Sequence, residues 1–131
     1  MGSFDSIEDL QITKTWYKES RVADLSYVMP EPETFWEKIY NQYRREYGNP
    51  KRRTLQQIHD RYQIIQKAIC DFIEIQQRLL KATRITMSSE QFHDLVKAGY
   101  LEEKGEAFTY DDCYNFMVSK IPDYESPVHS T

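Results

Sequence analysis

From Lys51 to Ala98 the chain contains neither glycine nor proline. Within that stretch Leu55, Ile58, Tyr62, Ile65, Ile69, Phe72, Gln76 and Leu79 recur at alternating steps of three and four. That is the spacing of one face of an α-helix. Thr54 and Gln57 form a T-x-x-Q capping box at its start. The pattern predicts one helix from about Leu55 to Lys81, roughly seven turns or ~40 Å at the rise of an α-helix. No single neighbour covers a helix of that length. Its first half is expected to pack on the helices that precede it. Ile73, Ile75, Leu79 and Leu80 in the second half need a different partner, because four large aliphatic side chains do not all face water.

The remaining segments are helical as well. Ser6 with Asp9 resembles a capping box, and Ile7, Leu10 and Trp16 give a loose apolar face to about Ser20. Pro30 and Pro32 interrupt the chain, and Pro32 suits the first turn of a second helix. There Phe35, Ile39, Tyr43 and Tyr47 fall four apart, Gly48 sits at the expected C-terminal cap, and Pro50 blocks continuation. Ser88 and Gln91 make a further capping box before Phe92, Leu95, Val96 and Tyr100, and Gly105 ends that run. Thr109 and Asp112 are read as the last cap, ahead of Cys113, Phe116, Met117 and Ile121, with Pro122 as the stop. These residues predict an all-α fold of five helices. Residues 1–84 are expected to form a three-helix helical domain with a long third helix. Residues 85–123 form a C-terminal helical extension packed on that helix, and 124–131 a polar tail. Cys70 and Cys113 are expected as free, buried thiols in a reducing compartment. No apolar run approaches ~18 residues, and the N-terminus has no signal-peptide hydrophobic region.

Net charge conceals more than it tells. The chain carries 17 Lys and Arg against 21 Asp and Glu, a net of −4. Residues 1–37 hold 3 basic and 8 acidic side chains, residues 38–84 hold 11 and 4, and residues 85–131 hold 3 and 9. The middle third is therefore strongly basic between two acidic flanks. Its densest cluster, Lys51-Arg52-Arg53, stands at the entry to the long helix, and Arg44 and Arg45 end the helix before it. A helix N-terminus already presents free N–H groups and partial positive charge. Three cations added there make an anion site suited to a phosphate backbone. Gln56, Gln57, His59, Asp60 and Gln63 lie off the apolar face, where amide side chains are placed to read base edges in a major groove. A solvated helix face beside a basic loop accounts for the same residues equally well.

Several residues together resemble the Myb/SANT-like, trihelix-type domain. They are Asp9, Thr15-Trp16, Lys18-Glu19-Ser20, Phe35-Trp36-x-x-Ile39-Tyr40-x-x-Tyr43, Arg53-Thr54, Leu55, Arg61-Tyr62, Ile64-Ile65, Ala68-Ile69 and Phe72. The later stretch Glu103-Lys104-Gly105-x-x-Phe108-Thr109-x-x-x-Cys113-Tyr114 is similar to the no-apical-meristem-associated region that often follows that domain. The likeness spans about Asp9 to Ile121. It implies a three-helix helix-turn-helix with Trp16, Trp36 and Tyr62 as the aromatic core and a DNA-reading third helix. On that reading Arg44, Arg45, Lys51, Arg52, Arg53, Arg61 and Lys67 hold phosphates, with pairing to an acid as the alternative for Arg61, and Gln56, Gln57, His59 and Gln63 face bases. A nuclear transcription regulator or transposon-derived protein is then expected, with double-stranded DNA as partner. Two departures stand out: Tyr62 replaces the family's usual Trp, and His59 and Asp60 stand where Ser, Lys or Arg is common. SANT domains with acidic surfaces bind basic histone tails or other proteins, so a protein-interaction or dimerisation module is the competing expectation.

Catalysis is not expected. His59, His93 and His129 are far apart in sequence, and there is no glycine-rich phosphate loop. Glu102-Glu103 and Asp111-Asp112 read as solvated acids rather than a metal site, so neither metal nor cofactor nor small-molecule substrate is expected. The start Met1-Gly2-x-x-x-Ser6 fits a myristoylation pattern. The acidic residues that follow argue against a membrane anchor.

Overall fold

Side chains cap three of the helix starts. In the computed structural model the described residues are 3–26, 32–82 and 87–121, with 22–26 and 32–34 described by their backbone alone. They form α1 (Ser6–Ser26), α2 (Pro32–Tyr47), α3 (Leu55–Ala82), α4 (Ser89–Lys104) and α5 (Asp111–Lys120), and no strand occurs among them. The fold is all-α, as the periodicity predicts. Thr54 and Gln57 make the expected reciprocal cap of α3: Gln57 Oε1 accepts from the Thr54 N–H at 2.8 Å, and Thr54 Oγ1 accepts from the Gln57 N–H at 3.1 Å. Ser88 and Gln91 repeat the motif on α4. Gly48 and Gly105 end α2 and α4 in left-handed conformations, φ +79° and +77°, which cost glycine nothing.

Two caps differ from expectation. Asp5 rather than Ser6 caps α1: its Oδ1 accepts the Glu8 N–H at 2.7 Å, and Glu8 reaches back to the Asp5 N–H at 3.4 Å. The box is therefore Asp5–Glu8, one residue earlier than Ser6–Asp9. At α5 the cap position falls on Tyr110, whose side chain makes no capping hydrogen bond, and Thr109 does not occupy that position. Pro30, Pro122 and the 124–131 tail lie outside the described residues.

The chain divides into two compact units within α3, between Ile64 and Ile65. The expected boundary was after residue 84. The division comes earlier because the rest of α3 builds a core of its own. In the first unit Ile12, Trp36, Ile39, Tyr43, Ile58 and Tyr62 are buried together. The buried side of α1 is not the Ile7–Leu10–Trp16 face: Ile7 is 67% exposed, while Glu8, Asp9, Ile12, Thr13 and Thr15 are buried. Thr13 and Thr15 satisfy their hydroxyls on the carbonyls four residues back, at 2.9 and 2.8 Å, so a buried threonine here packs like an aliphatic residue.

In the second unit Ile69, Phe72, Ile73 and Ile75 of α3 are buried with Val96, Tyr100, Phe108, Cys113 and Tyr114. Leu79 packs at the edge of this core, and Leu80 remains exposed. Phe72 is its hub, stacked on Phe108 at 4.2 Å between centroids and edge-on to Tyr114 at 5.2 Å. A Cβ at Gly99 would stand 3.3 Å from Ile75 Cγ2, so glycine there lets α4 approach α3 closely. Cys113 is buried as expected, whereas Cys70 is exposed. Phe72→Ala is expected to lower stability by about 3–5 kcal/mol in urea denaturation. A loss below about 1 kcal/mol would show that the Phe72 ring does not organise this core.

Candidate nucleic-acid interface

The connection from Gly48 to Thr54 carries the chain from α2 into α3. Asn49 and Arg52 both have left-handed backbones, φ +48° and +54°. For a residue other than glycine that geometry costs about 1–2 kcal/mol, and local bonds hold it. The Asn49 side chain brackets Arg53, accepting its N–H and donating to its carbonyl, both at 2.8 Å. Tyr40 Oη donates to the same carbonyl at 2.8 Å. A turn this tight sends neighbouring side chains in different directions. The three consecutive cations Lys51, Arg52 and Arg53 consequently have three different environments.

Arg53 is 4% exposed. Its Nε donates to Glu8 Oε2 at 2.9 Å, and its Nη2 donates to Glu8 Oε1 at 3.0 Å and to the Ser3 carbonyl at 3.1 Å. The Phe4 ring lies 3.9 Å from the guanidinium carbon. This corrects its expected role: Arg53 is an internal anchor and does not reach a phosphate. Arg61 is a second correction. It forms a bidentate pair with Asp9, Nε to Oδ1 at 2.8 Å and Nη2 to Oδ2 at 2.9 Å, and Asp9 is itself buried. Lys51 stays at the surface, with Nζ 3.2 Å from Glu8 Oε1 and 3.4 Å from Asp5 Oδ2. Arg52 is exposed and has no ion-pair partner among the described residues.

The other expected phosphate contacts divide the same way. Arg44 and Arg45 are exposed at the end of α2. Arg44 lies over the Tyr40 ring at 5.4 Å, and Arg45 donates to Gln42 at 2.9 Å. Neither is paired with a carboxylate among the described residues. Lys67 belongs to the second unit, where it is paired with Asp71 at 3.0 Å.

Of the expected base-reading residues, Gln56 and Gln63 are exposed on α3, but Gln56 donates to Asp60 at 2.7 Å. Gln57 is occupied as the cap of its own helix. His59 is half-buried, its ring stacked on Trp36 at 4.3 Å, with Gln63 Nε2 3.3 Å from its Nε2. Trp16, Trp36 and Tyr62 meet: Trp16 stacks on Tyr62 at 5.1 Å, and Trp36 lies 5.6 Å from Tyr62.

Periodicity passed over the residues that organise this corner, namely Phe4, Asp5, Glu8, Tyr40 and Asn49. One signal was available: Asp5-x-x-Glu8 is itself a capping-box pattern. Among the described residues no group of three or more His, Cys, Asp or Glu side chains is placed to hold a metal ion, and no helix is long and apolar enough to cross a membrane. No protein-family model, curated protein or solved structure matches the chain.

Burial pushes the Glu8 carboxyl up, but hydrogen bonds from Arg53 and Lys51 and the charge of Arg53 outweigh it, and the net shift is below the ordinary value of 4.5. A carboxylate held lower in the folded state stabilises fully above its unfolded pKa and loses that contribution as pH falls through the folded one. Glu8→Gln is therefore expected to be less stable than the natural chain at pH 7, with the gap closing below about pH 4.5 in acid-denaturation curves. A gap constant down to pH 3 would contradict the pairing.

Proposed function

We propose that the first unit is a duplex-DNA-binding helix-turn-helix module of the Myb/SANT-like type, part of a nuclear transcription regulator or a transposon-derived protein, with the start of α3 in the major groove. The observation that carries this reading is the α2–α3 corner. Arg44, Arg45 and Arg52 are exposed there, and none is paired with a carboxylate among the described residues. Lys51 adds a fourth cation on an exchangeable pair. The planar guanidinium matches phosphate bidentately, so three exposed arginines without a carboxylate partner at one corner suit an external anion. Gln56, His59 and Gln63 follow on α3 as the groups that face bases. Arg53, Arg61 and Gln57 leave the contact set because their polar groups are committed within the unit.

One observation favours the protein-interaction reading instead. Asp60 is exposed between Gln56 and Gln63, where a carboxylate repels phosphate unless it accepts from a cytosine amino group. On that reading the partner is a basic segment such as a histone tail.

A gel-shift series at several salt concentrations separates the two. With three to four phosphate contacts at ~0.9 each, log K against log salt is expected to fall with a slope of about −3. The triple variant Arg44→Gln, Arg45→Gln, Arg52→Gln is expected to keep its helical content, lose most of that slope, and bind all sequences more weakly by a similar factor. Duplex binding that the triple variant leaves unchanged, or no salt-dependent binding at all, contradicts the DNA reading and turns the search to basic peptides.

A further inference from the structure

We propose that Asp5 is an internal stand-in for a DNA phosphate: it holds Lys51 in the free protein and gives it up to the backbone when duplex docks. The inference rests on the DNA reading above and adds a self-competition that tunes it. Three ion pairs link these residues, Arg53–Glu8, Lys51–Glu8 at 3.2 Å and Lys51–Asp5 at 3.4 Å, and the first and last differ in kind. The Glu8–Arg53 pair is closed, with side chains 9% and 5% exposed, two short bonds, and a further bond from Arg53 to the Ser3 carbonyl. Nothing from outside reaches it without opening the first unit. The Asp5–Lys51 pair is open. Its side chains are 50% and 46% exposed and the contact is 3.4 Å. Solvent-exposed pairs of this sort are weak, and a duplex offers a far denser array of anions.

The two oxygens of Asp5 do separate jobs. Oδ1 accepts the Glu8 N–H and caps α1, while Oδ2 faces Lys51. The cap fixes the carboxylate, so Oδ2 waits at the corner as a tethered anion with little entropy left to lose. Every duplex that takes Lys51 must displace it. The cap also makes the idea separable by mutation. Asn caps a helix about as well as Asp, so Asp5→Asn keeps the Oδ1 bond and the fold and removes the exposed one of the two carboxylates that face Lys51, leaving Glu8 in place.

The test measures duplex affinity across a salt series for the full chain, Asp5→Asn, Lys51→Gln and the double variant. Asp5→Asn is expected to bind about two- to fivefold tighter at low salt, the loss of one exposed pair, with a slope steeper by up to ~0.9. In the Lys51→Gln background the same change is expected to do no more than Glu37→Gln, which removes an exposed acid on α2. Equal affinity and slope for Asp5→Asn and the natural chain overturn the proposal. So does an equal gain in the Lys51→Gln background, which marks a general net-charge effect. If neither the natural chain nor Asp5→Asn binds duplex at any salt, the DNA reading itself fails and this inference with it. Duplex binding that ignores Asp5 overturns the inference alone.

Discussion

A guanidinium shielded from solvent has to find its hydrogen-bond acceptors inside the protein, and Arg53 finds them on Glu8 and Ser3. That requirement fixes much of the first unit. It draws the N-terminal turn of α1 onto the entry of α3. The Phe4 ring covers both Arg53 and Arg61, and the backbone between Asn49 and Arg53 adopts the tight turn that Asn49 and Tyr40 clamp. Asp9 and Arg61 repeat the arrangement two turns further along α3. Burying charge is expensive, so such pairs add less net stability than their short distances suggest, but removing one partner strands the other at high cost. Their contribution here is mainly positional: they fix which end of α1 meets which end of α3.

The same pairs change what the charge pattern means. Residues 38–84 carry 11 cations against 4 acids, which reads as a basic surface. Folding brings Asp5, Glu8 and Asp9 from the acidic first third onto Lys51, Arg53 and Arg61. Two arginines of the apparent phosphate-binding set become structural and a lysine becomes partly engaged. Of that set, Arg44, Arg45 and Arg52 remain exposed without a carboxylate partner among the described residues. On the proposed DNA reading, the α2–α3 corner would hold phosphate through few contacts, with its own acids competing for the cations.

Much of the fold was legible in the residues, and the reasons are local. Thr54–Gln57 and Ser88–Gln91 announce helix starts because a capping box closes within four residues, and Gly48 and Gly105 mark ends because only glycine takes a left-handed turn freely. The long α3 was legible from seven apolar positions and Gln76 at one helical spacing. Its double role was foreseen from Ile73 and Ile75, which needed a partner and found one on α4 and α5. The buried face of α1 was hidden because, apart from Ile12, it is made of Glu8, Asp9, Thr13 and Thr15. These residues look like surface until their partners, a back-bonded carbonyl or an arginine, are known. The fates of Lys51, Arg53 and Arg61 were hidden for a different reason: the pairing acids lie 43 to 52 residues away, and no count of charge along a segment reveals contacts at that separation.

Adjacent arginines with opposite fates are the sharpest consequence of this arrangement. Urea denaturation of Arg53→Gln beside Arg52→Gln tests it most directly. Arg53→Gln is expected to lose about 3–5 kcal/mol, because it leaves the Glu8 carboxylate buried without its main partner. Arg52→Gln is expected to stay within about 0.5 kcal/mol, as an exposed side chain with no fixed contact does. Equal, small losses for the two variants would contradict the account, since Arg53 would then be one more surface cation and the basic middle of the chain would be free after all.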